Sequence, residues 1–165
     1  MYSDPNSVKR ISSLGAGPIG GGWTAHFLAR GYDVTAYLHD KSETNSFMSI
    51  LKTAWISLAE LGLAPSASMD RLRIVTDLEE ALDGADFVQE SGPERIEVKQ
   101  KLYSEMGEIL PPSIIIGSST SGLMMSDIQS DCSTPERTVI GHPFNPPYLL
   151  PLVEIVGGKL SLIHI

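Results

Sequence analysis

A histidine and a downstream carboxylate are the residues whose types and spacing could best support chemistry in this sequence. His142 lies in the stretch 141–148 together with Asn145, and Glu154 follows in an aliphatic segment. An imidazole titrates near neutral pH and can therefore accept and release a proton. A carboxylate on its other ring nitrogen can fix the tautomer and stabilise the imidazolium. Because a lone histidine is more often structural, the pair needs a cofactor or substrate site beside it to be catalytic.

A glycine-rich turn near the amino terminus is the second informative segment. Its six residues are Gly15, Ala16, Gly17, Pro18, Ile19 and Gly20. It follows a predicted strand and opens a predicted helix, the context in which such glycines bind a dinucleotide. The first glycine allows the tight turn, the second lets the backbone approach a pyrophosphate, and the third lets helix and strand pack closely. The alternative is a glycine-rich turn without a ligand.

The end of the second predicted strand bears on the adenosine end of that cofactor. Dinucleotide folds place an acidic residue about 20 residues beyond the glycines, where it binds the ribose. The sequence there reads Leu38-His39-Asp40. Asp40 could bind the ribose if the strand end is longer than usual, or it could cap the start of a helix. No arginine follows directly, which favours NAD over NADP.

Strand and helix patterns alternate along the chain, and this alternation predicts an α/β fold, a Rossmann-type doubly wound and mostly parallel sheet. The predicted strands are 8–14, 33–38, 72–75, 85–90, 113–117 and 137–140. A further helix is predicted to begin near Pro93 and to carry an apolar face of Val98, Leu102, Met106 and Ile109. The hydroxyl-rich loop 118–122 would then lie at the carboxyl edge of the sheet, where open α/β sheets bind ligands.

Composition narrows the classes of protein to consider. The chain has 165 residues, 42% of them hydrophobic, and a formal net charge of −8. This charge argues against a nucleic-acid partner, since phosphate contacts need clustered Lys and Arg. No apolar run is long enough to predict a membrane span. A single cysteine, Cys132, fits a reducing cytoplasm, and no Cys/His cluster has the spacing of a metal site.

These segments together resemble the 3-hydroxyacyl-CoA dehydrogenase family. The resemblance covers residues 8–158 and rests on the glycine turn, the loop 118–122 and the stretch 141–154. The segments 54–65 and 88–95 also make the chain similar to the branch of that family that oxidises L-carnitine, a relative of lambda-crystallin.

The resemblance implies a role for each matching residue. His142 would be the catalytic base, Glu154 its paired carboxylate, and Ser121 the serine that hydrogen-bonds the 3-hydroxyl of the substrate. The residues implied to contact the nicotinamide half of NAD are Glu94, Lys99 and Asn145. One departure is Leu38, which stands where relatives place the acid that binds the ribose.

The resemblance also implies a longer protein. Residues 1–158 would be the NAD-binding Rossmann domain, and family members continue into a helical domain that supplies part of the substrate pocket and a homodimer interface. Residues 159–165 would be either the start of that domain or a foreign tail. Three functions stay open: oxidation of a small substrate, with L-carnitine preferred; oxidation of a 3-hydroxyacyl thioester; and NAD binding without turnover.

Overall fold

The computed structural model describes residues 4–162. The strands within these residues are β1 (Arg10–Leu14), β2 (Asp33–Tyr37), β3 (Leu72–Val75), β4 (Phe87–Glu90), β5 (Ile115–Ser118), β6 (Thr138–Pro143) and β7 (Val153–Gly157). The α-helices within them are α1 (Pro18–Ala29), α2 (Thr44–Leu61), α3 (Leu78–Leu82), α4 (Ile96–Ile109) and α5 (Met125–Ile128).

These strands form one sheet in the order β3-β2-β1-β4-β5-β6-β7. The first six run parallel, and β7 pairs antiparallel with β6. The predicted doubly wound, mostly parallel sheet is therefore confirmed. The chain builds outward from β1 through β2 to β3 and then returns to the other side of β1 with β4. Ligands bind at such a reversal of strand order, outside the carboxyl ends of the strands.

Helices cover both faces of the sheet, so successive residues of its central strands β1, β4 and β5 are buried on both sides. On one face α1 and α2 contribute a cluster in which Leu28, Phe47 and Leu51 are fully buried. On the other face α4 contributes Tyr103 and Met106, which pack with Ile116 of β5 and neighbouring residues. None of the helices in the described part of the chain has the length and hydropathy needed to cross a membrane.

The start and the buried face of α4 differ from the sequence prediction. The helix begins at Ile96 rather than near Pro93, because Arg95 is extended at its N-cap. Of the predicted apolar face only Met106 is buried, whereas Ile109 is exposed. The structure instead buries Lys99, Tyr103, Met106 and Gly107. Lys99 finds an ionic partner inside, and a pattern based on hydrophobicity cannot anticipate that partner.

The segment that carries the histidine also differs from its prediction. Strand β6 extends to Pro143, so His142 lies within a strand and not in the loop after it. The sequence did not predict β7, whose residues are all exposed. Its antiparallel register sets His142 opposite Glu154. The residues 163–165, including His164, lie outside the described part of the chain.

Candidate functional site

The glycine turn joins the carboxyl end of β1 to α1. Gly15 has a φ of 125°, a left-handed conformation that favours glycine. A Cβ on Gly20 would overlap the carbonyl oxygen of Gly15, so the third glycine is required for the close packing of helix and turn. A Cβ on Gly17, in contrast, would meet no atom within 4 Å. That open space is where a phosphate group can approach the backbone.

The start of α1 offers unpaired donors to such a group. The first turn of a helix leaves backbone N–H groups without an intrahelical acceptor. Within residues 4–162 no side chain caps this turn, and Pro18 occupies its first position. Ala16 and Ile19, the other members of the turn, flank the glycines on the same backbone. The turn is therefore suited to an anion such as the pyrophosphate of a dinucleotide.

Asp40 has a local role at the end of the second strand. Its carboxylate accepts a hydrogen bond from the backbone N–H of Ser42, 2.7 Å away, and Glu43 completes a capping box. These hydrogen bonds from Ser42 hold the pKa of the exposed Asp40 below its usual value. The capping alternative is thus the one seen here, and a ribose contact by Asp40 stays a prediction. Leu38 is fully buried and faces the core.

His142 and Glu154 form a hydrogen-bonded pair across the β6–β7 hairpin. The His142 Nδ1 atom lies 2.8 Å from the Glu154 Oε2 atom. An ionised carboxylate can only accept a hydrogen bond, so in this geometry Nδ1 carries the proton and donates it to Glu154 Oε2. The other ring nitrogen, Nε2, is then available as a base. The His142 side chain is 27% exposed, which leaves it accessible to a small molecule.

The pair does not lie in the groove that runs between α1 and the last strands of the sheet. That groove has a volume of about 760 Å³ and is lined mostly by apolar residues of α1 and of the sheet, with Gly141, Val153 and Ile155 among them. Alternate residues of a strand point to opposite faces. His142 and Glu154 therefore project from the other face of the hairpin, away from this groove.

The loop between β6 and β7 packs the segment that follows His142 against α1, the helix that begins at the glycine turn. Pro147 and Tyr148 pack so closely on α1 that a Cβ on Gly22 would lie 2.9 Å from a Pro147 ring carbon. Asn145 is exposed in this loop, and its peptide bond to Pro146 is cis. This packing holds the carboxyl end of β6 against α1.

The hydroxyl groups of the loop 118–122 are not equivalent. Ser118 Oγ donates to buried Glu90, and Thr120 Oγ1 donates to Glu94 at 2.5 Å. Ser119 Oγ bonds the Trp23 indole N–H, the Gln89 amide and the Ser91 hydroxyl. Ser121 differs from these three, because its exposed hydroxyl has no hydrogen-bond partner within residues 4–162. Of these side chains it alone is available to a substrate.

Glu94 holds the second half of that loop. Its Oε1 atom accepts from Thr120 Oγ1 and from the backbone N–H groups of Ser121 and Gly122, the latter two at 3.1 Å. Partial burial acts to raise the pKa of Glu94, but the hydrogen bonds from Thr120 and Gly122 outweigh it and the pKa is lowered. The Glu94 side chain is 45% exposed, so its Oε2 atom can also reach a ligand.

Lys99 lies behind Glu94 and is almost completely buried. Its ammonium is 2.6 Å from Glu90 Oε1 and 3.7 Å from Glu94 Oε2. Sequence reasoning did not single out Glu90, which follows apolar residues at the end of β4. A carboxylate at the carboxyl end of a predicted central strand was the one available signal. No group of three or more potential metal ligands occurs in the part of the chain that the structure describes.

The turn, the open space at Gly17 and the position of both at the strand reversal define a Rossmann-type dinucleotide-binding domain. Comparison with known proteins makes this more specific. The family model described as 3-hydroxyacyl-CoA dehydrogenase, NAD binding domain, matches residues 10–162. The chain belongs to the 3-hydroxyacyl-CoA dehydrogenase family, and the cofactor of its domain is NAD. The resemblance inferred from the sequence is confirmed at this level.

Individual relatives are also similar to this chain. The L-carnitine dehydrogenase of Streptomyces coelicolor is 49% identical over 157 residues, which cover 95% of this chain and 49% of that protein. The L-carnitine dehydrogenase of Pseudomonas putida is 48% identical, with coverage of 92% and 47%. This chain therefore spans about half the length of these relatives.

Solved structures share the fold. The 3-hydroxybutyryl-CoA dehydrogenase of Escherichia coli K12 superposes with a TM-score of 0.87 at 28% identity, over 96% of this chain and 34% of that one. An NAD+-dependent 5-dehydrogenase that acts on a pyridine carboxylic acid superposes with a TM-score of 0.86 at 32% identity, over 95% of this chain and 51% of that one.

Two glycine substitutions in the full-length protein should separate packing from cofactor binding. We expect Gly20→Ala to lower the melting temperature, because its methyl group overlaps the carbonyl oxygen of Gly15. We expect Gly17→Ala to leave the melting temperature nearly unchanged and to weaken NADH binding, measured by NADH fluorescence. Equal loss of stability in both variants would contradict this assignment.

Glu94 should contribute to stability in a pH-dependent way. A carboxyl whose pKa is lower in the folded than in the unfolded protein stabilises the fold above its unfolded pKa, here an ordinary value of 4.5. That stabilisation is lost as the pH falls through the lower, folded pKa. We expect Glu94→Gln to lower the melting temperature at pH 7, and the difference from wild type to shrink below about pH 4.5.

The matched control for Glu94 is Glu97→Gln, which removes an exposed carboxylate from the first turn of α4. Its effect should be smaller at pH 7. A Glu94→Gln effect that stays constant while the pH falls from 7 to well below the ordinary carboxyl pKa of 4.5 would show that hydrogen bonding to the ionised carboxylate is not the cause.

Proposed function

We propose that the full-length protein is an NAD-dependent dehydrogenase that oxidises the 3-hydroxyl group of L-carnitine to give 3-dehydrocarnitine. The observation that carries the proposal is the 2.8 Å contact between His142 Nδ1 and Glu154, which leaves Nε2 as a base. The relatives named L-carnitine dehydrogenase, at 48–49% identity, support the choice of substrate.

The reaction removes two electrons and two protons from a secondary alcohol. NAD, held by the glycine turn, would supply the acceptor for the hydride that leaves the carbon bearing the hydroxyl group. His142 Nε2 takes the hydroxyl proton, so that the carbon–oxygen bond can become a carbonyl as the hydride leaves. Glu154 stabilises the resulting imidazolium through Nδ1. The substrate is oxidised to the ketone, and the proton later leaves to solvent.

Ser121 and the nicotinamide contacts orient this chemistry. The free hydroxyl of Ser121 is proposed to hydrogen-bond the 3-hydroxyl group of the substrate. Glu94 Oε2 and Asn145 are exposed at the same edge of the sheet and are proposed to contact the nicotinamide half of NAD. Gly15, Gly17 and Gly20 would hold the pyrophosphate.

The remaining proposals concern the whole protein. Residues 1–158 are proposed to be its NAD-binding domain, followed by a helical domain through which it forms a homodimer. The near-twofold length of the relatives supports the second domain. A cytoplasmic location fits the free, buried Cys132, and the acidic charge fits a protein that does not bind nucleic acid. The gene sequence beyond Gly158 decides whether 159–165 begins that domain or is foreign.

The substrate is tested by comparing NAD reduction with L-carnitine and with 3-hydroxybutyryl-CoA in the full-length protein. We expect turnover with L-carnitine and a much lower kcat/KM with the thioester. Turnover with the thioester alone would remove the carnitine assignment. NADH binding without turnover of either compound would favour a module that binds the cofactor and catalyses nothing.

The role of His142 is tested by His142→Ala. Loss of the general base should lower kcat by about a hundred- to ten-thousandfold, whereas the Kd for NADH should stay within about twofold of wild type, because the glycine turn is unchanged. Glu60→Ala removes an exposed side chain near the end of α2 and serves as the control. A large loss of NADH affinity in His142→Ala would instead assign His142 a structural role.

A further inference from the structure

The hydroxyl group of Ser119 is the centre of a cluster of four hydrogen-bonded side chains. The indole N–H of Trp23 donates to Ser119 Oγ at 3.2 Å, and the amide Nε2 of Gln89 donates to it at 2.9 Å. Ser119 Oγ also lies 2.8 Å from Ser91 Oγ, and these two hydroxyl groups share a hydrogen bond. The proposed reaction assigns no role to this cluster.

The direction of the shared hydrogen bond follows from a count of donors and acceptors. A serine hydroxyl has one proton to donate and two lone pairs that can accept. The N–H groups of Trp23 and Gln89 occupy both lone pairs of Ser119. The proton of Ser119 is left for the third contact, so Ser119 donates and Ser91 Oγ accepts.

The surroundings of Gln89 support this direction. If the oxygen and nitrogen of its amide exchanged places, Ser119 would donate to Gln89 and accept from Ser91. Both amide N–H groups would then point into the mostly apolar groove between α1 and the last strands, which Gln89 lines. Unpaired N–H groups are less well tolerated than an unpaired carbonyl oxygen. In the structure it is the amide oxygen that faces this groove, beside Gly117.

Ser91 itself lies at the crevice where the glycine turn leaves β1. It follows β4, its backbone N–H donates to the Leu14 carbonyl at 2.7 Å, and a Cβ on Gly15 would overlap its carbonyl oxygen. Its side chain is half-buried. Apart from the contact with Ser119, Ser91 Oγ has no hydrogen-bond partner within residues 4–162. Because it accepts from Ser119, its own proton is available to a ligand.

The position of Ser91 indicates which half of the cofactor it faces. In dinucleotide folds the end of the second strand binds the adenosine ribose, and the cofactor lies across the crevice. In this sheet β4 lies on the side of β1 opposite to β2. The nicotinamide half of NAD therefore extends over the end of β4. Its ribose and phosphate oxygens can accept a hydrogen bond from a serine hydroxyl.

We infer that Ser91 is a further cofactor-binding residue, whose hydroxyl donates a hydrogen bond to a ribose or phosphate oxygen in the nicotinamide half of NAD. Ser119 fixes this hydroxyl as a donor, and Trp23 and Gln89 fix the direction of Ser119. These three are positioning residues that act through Ser91. The inference goes beyond the proposed function, because it rests on NAD as the cofactor and holds whichever alcohol is oxidised.

Ser91→Ala in the full-length protein tests the contact. We expect the Kd for NADH, measured by fluorescence, to rise about three- to tenfold, the scale of one lost hydrogen bond. The Kd for AMP, measured by competition with NADH, should keep its wild-type value, because AMP lacks the nicotinamide half. The matched control is Ser133→Ala, which removes an exposed hydroxyl before β6, at the opposite edge of the sheet, and should change neither constant.

Trp23→Phe tests the direction of the hydrogen bonds. It removes the indole N–H and frees one lone pair of Ser119, to which Ser91 can then donate instead of to NAD. We expect the Kd for NADH to rise about threefold, within the scale of one hydrogen bond. In the Ser91→Ala background the same substitution should have no further effect, because both changes act through one contact. An effect of Trp23 on packing alone would persist in both backgrounds.

Three results would overturn the inference. Ser91→Ala could bind NADH as tightly as wild type does. It could weaken NADH and AMP to the same extent, which would show that Ser91 does not act on the nicotinamide half. Trp23→Phe could weaken NADH binding equally with and without the Ser91 hydroxyl. A wild-type protein that binds NADH but does not oxidise L-carnitine would instead overturn the proposed function and leave this inference standing.

Discussion

The reversal of strand order between β1 and β4 is the constraint on which the site depends. Because the chain builds outward from β1 in one direction and then in the other, the connections that leave the carboxyl ends of β1 and β4 pass to opposite faces of the sheet and open a crevice between them. The glycine turn leaves β1 there, and the segment with Glu90 and Glu94 leaves β4. A cofactor placed in that crevice meets the phosphate-binding turn and the polar side chains at once.

Hydrogen bonds from polar groups below the crevice fix the positions of the site residues. The hydroxyl loop shows this most clearly, since within residues 4–162 the hydroxyl groups of Ser118 and Thr120 are bonded to carboxylates while the hydroxyl group of Ser121 is not. These two hydrogen bonds, with that of the Ser121 backbone N–H to Glu94, keep the Ser121 hydroxyl in a defined place. The same principle applies to His142, whose ring is oriented by Glu154 across an antiparallel pair of strands. In both cases one polar contact orients a group whose other side is open to a ligand.

Much of this arrangement could be predicted from the chain alone. The glycine turn has a local signature, because its conformational requirements fall on consecutive residues. The central strand β5 is recognisable because burial on both faces favours apolar residues, as in the run Ile114-Ile115-Ile116. The face of α4 could not be predicted in this way. Lys99 on this face is of a residue type expected at the surface. Its burial depends on the ion pair with Glu90, nine positions earlier in the chain.

The sequence by itself predicted the class of fold and the cofactor turn from residue type, order and local spacing, and it singled out His142 and Glu154 as partners. Only the tertiary structure decided that β7 pairs antiparallel with β6, that Asp40 caps a turn, and that Lys99 is held by Glu90. The physical reason is that hydrogen bonds and ion pairs act over about 3–4 Å. Which groups come that close depends on how the strands and helices pack, and hydrophobic patterns do not encode those distances.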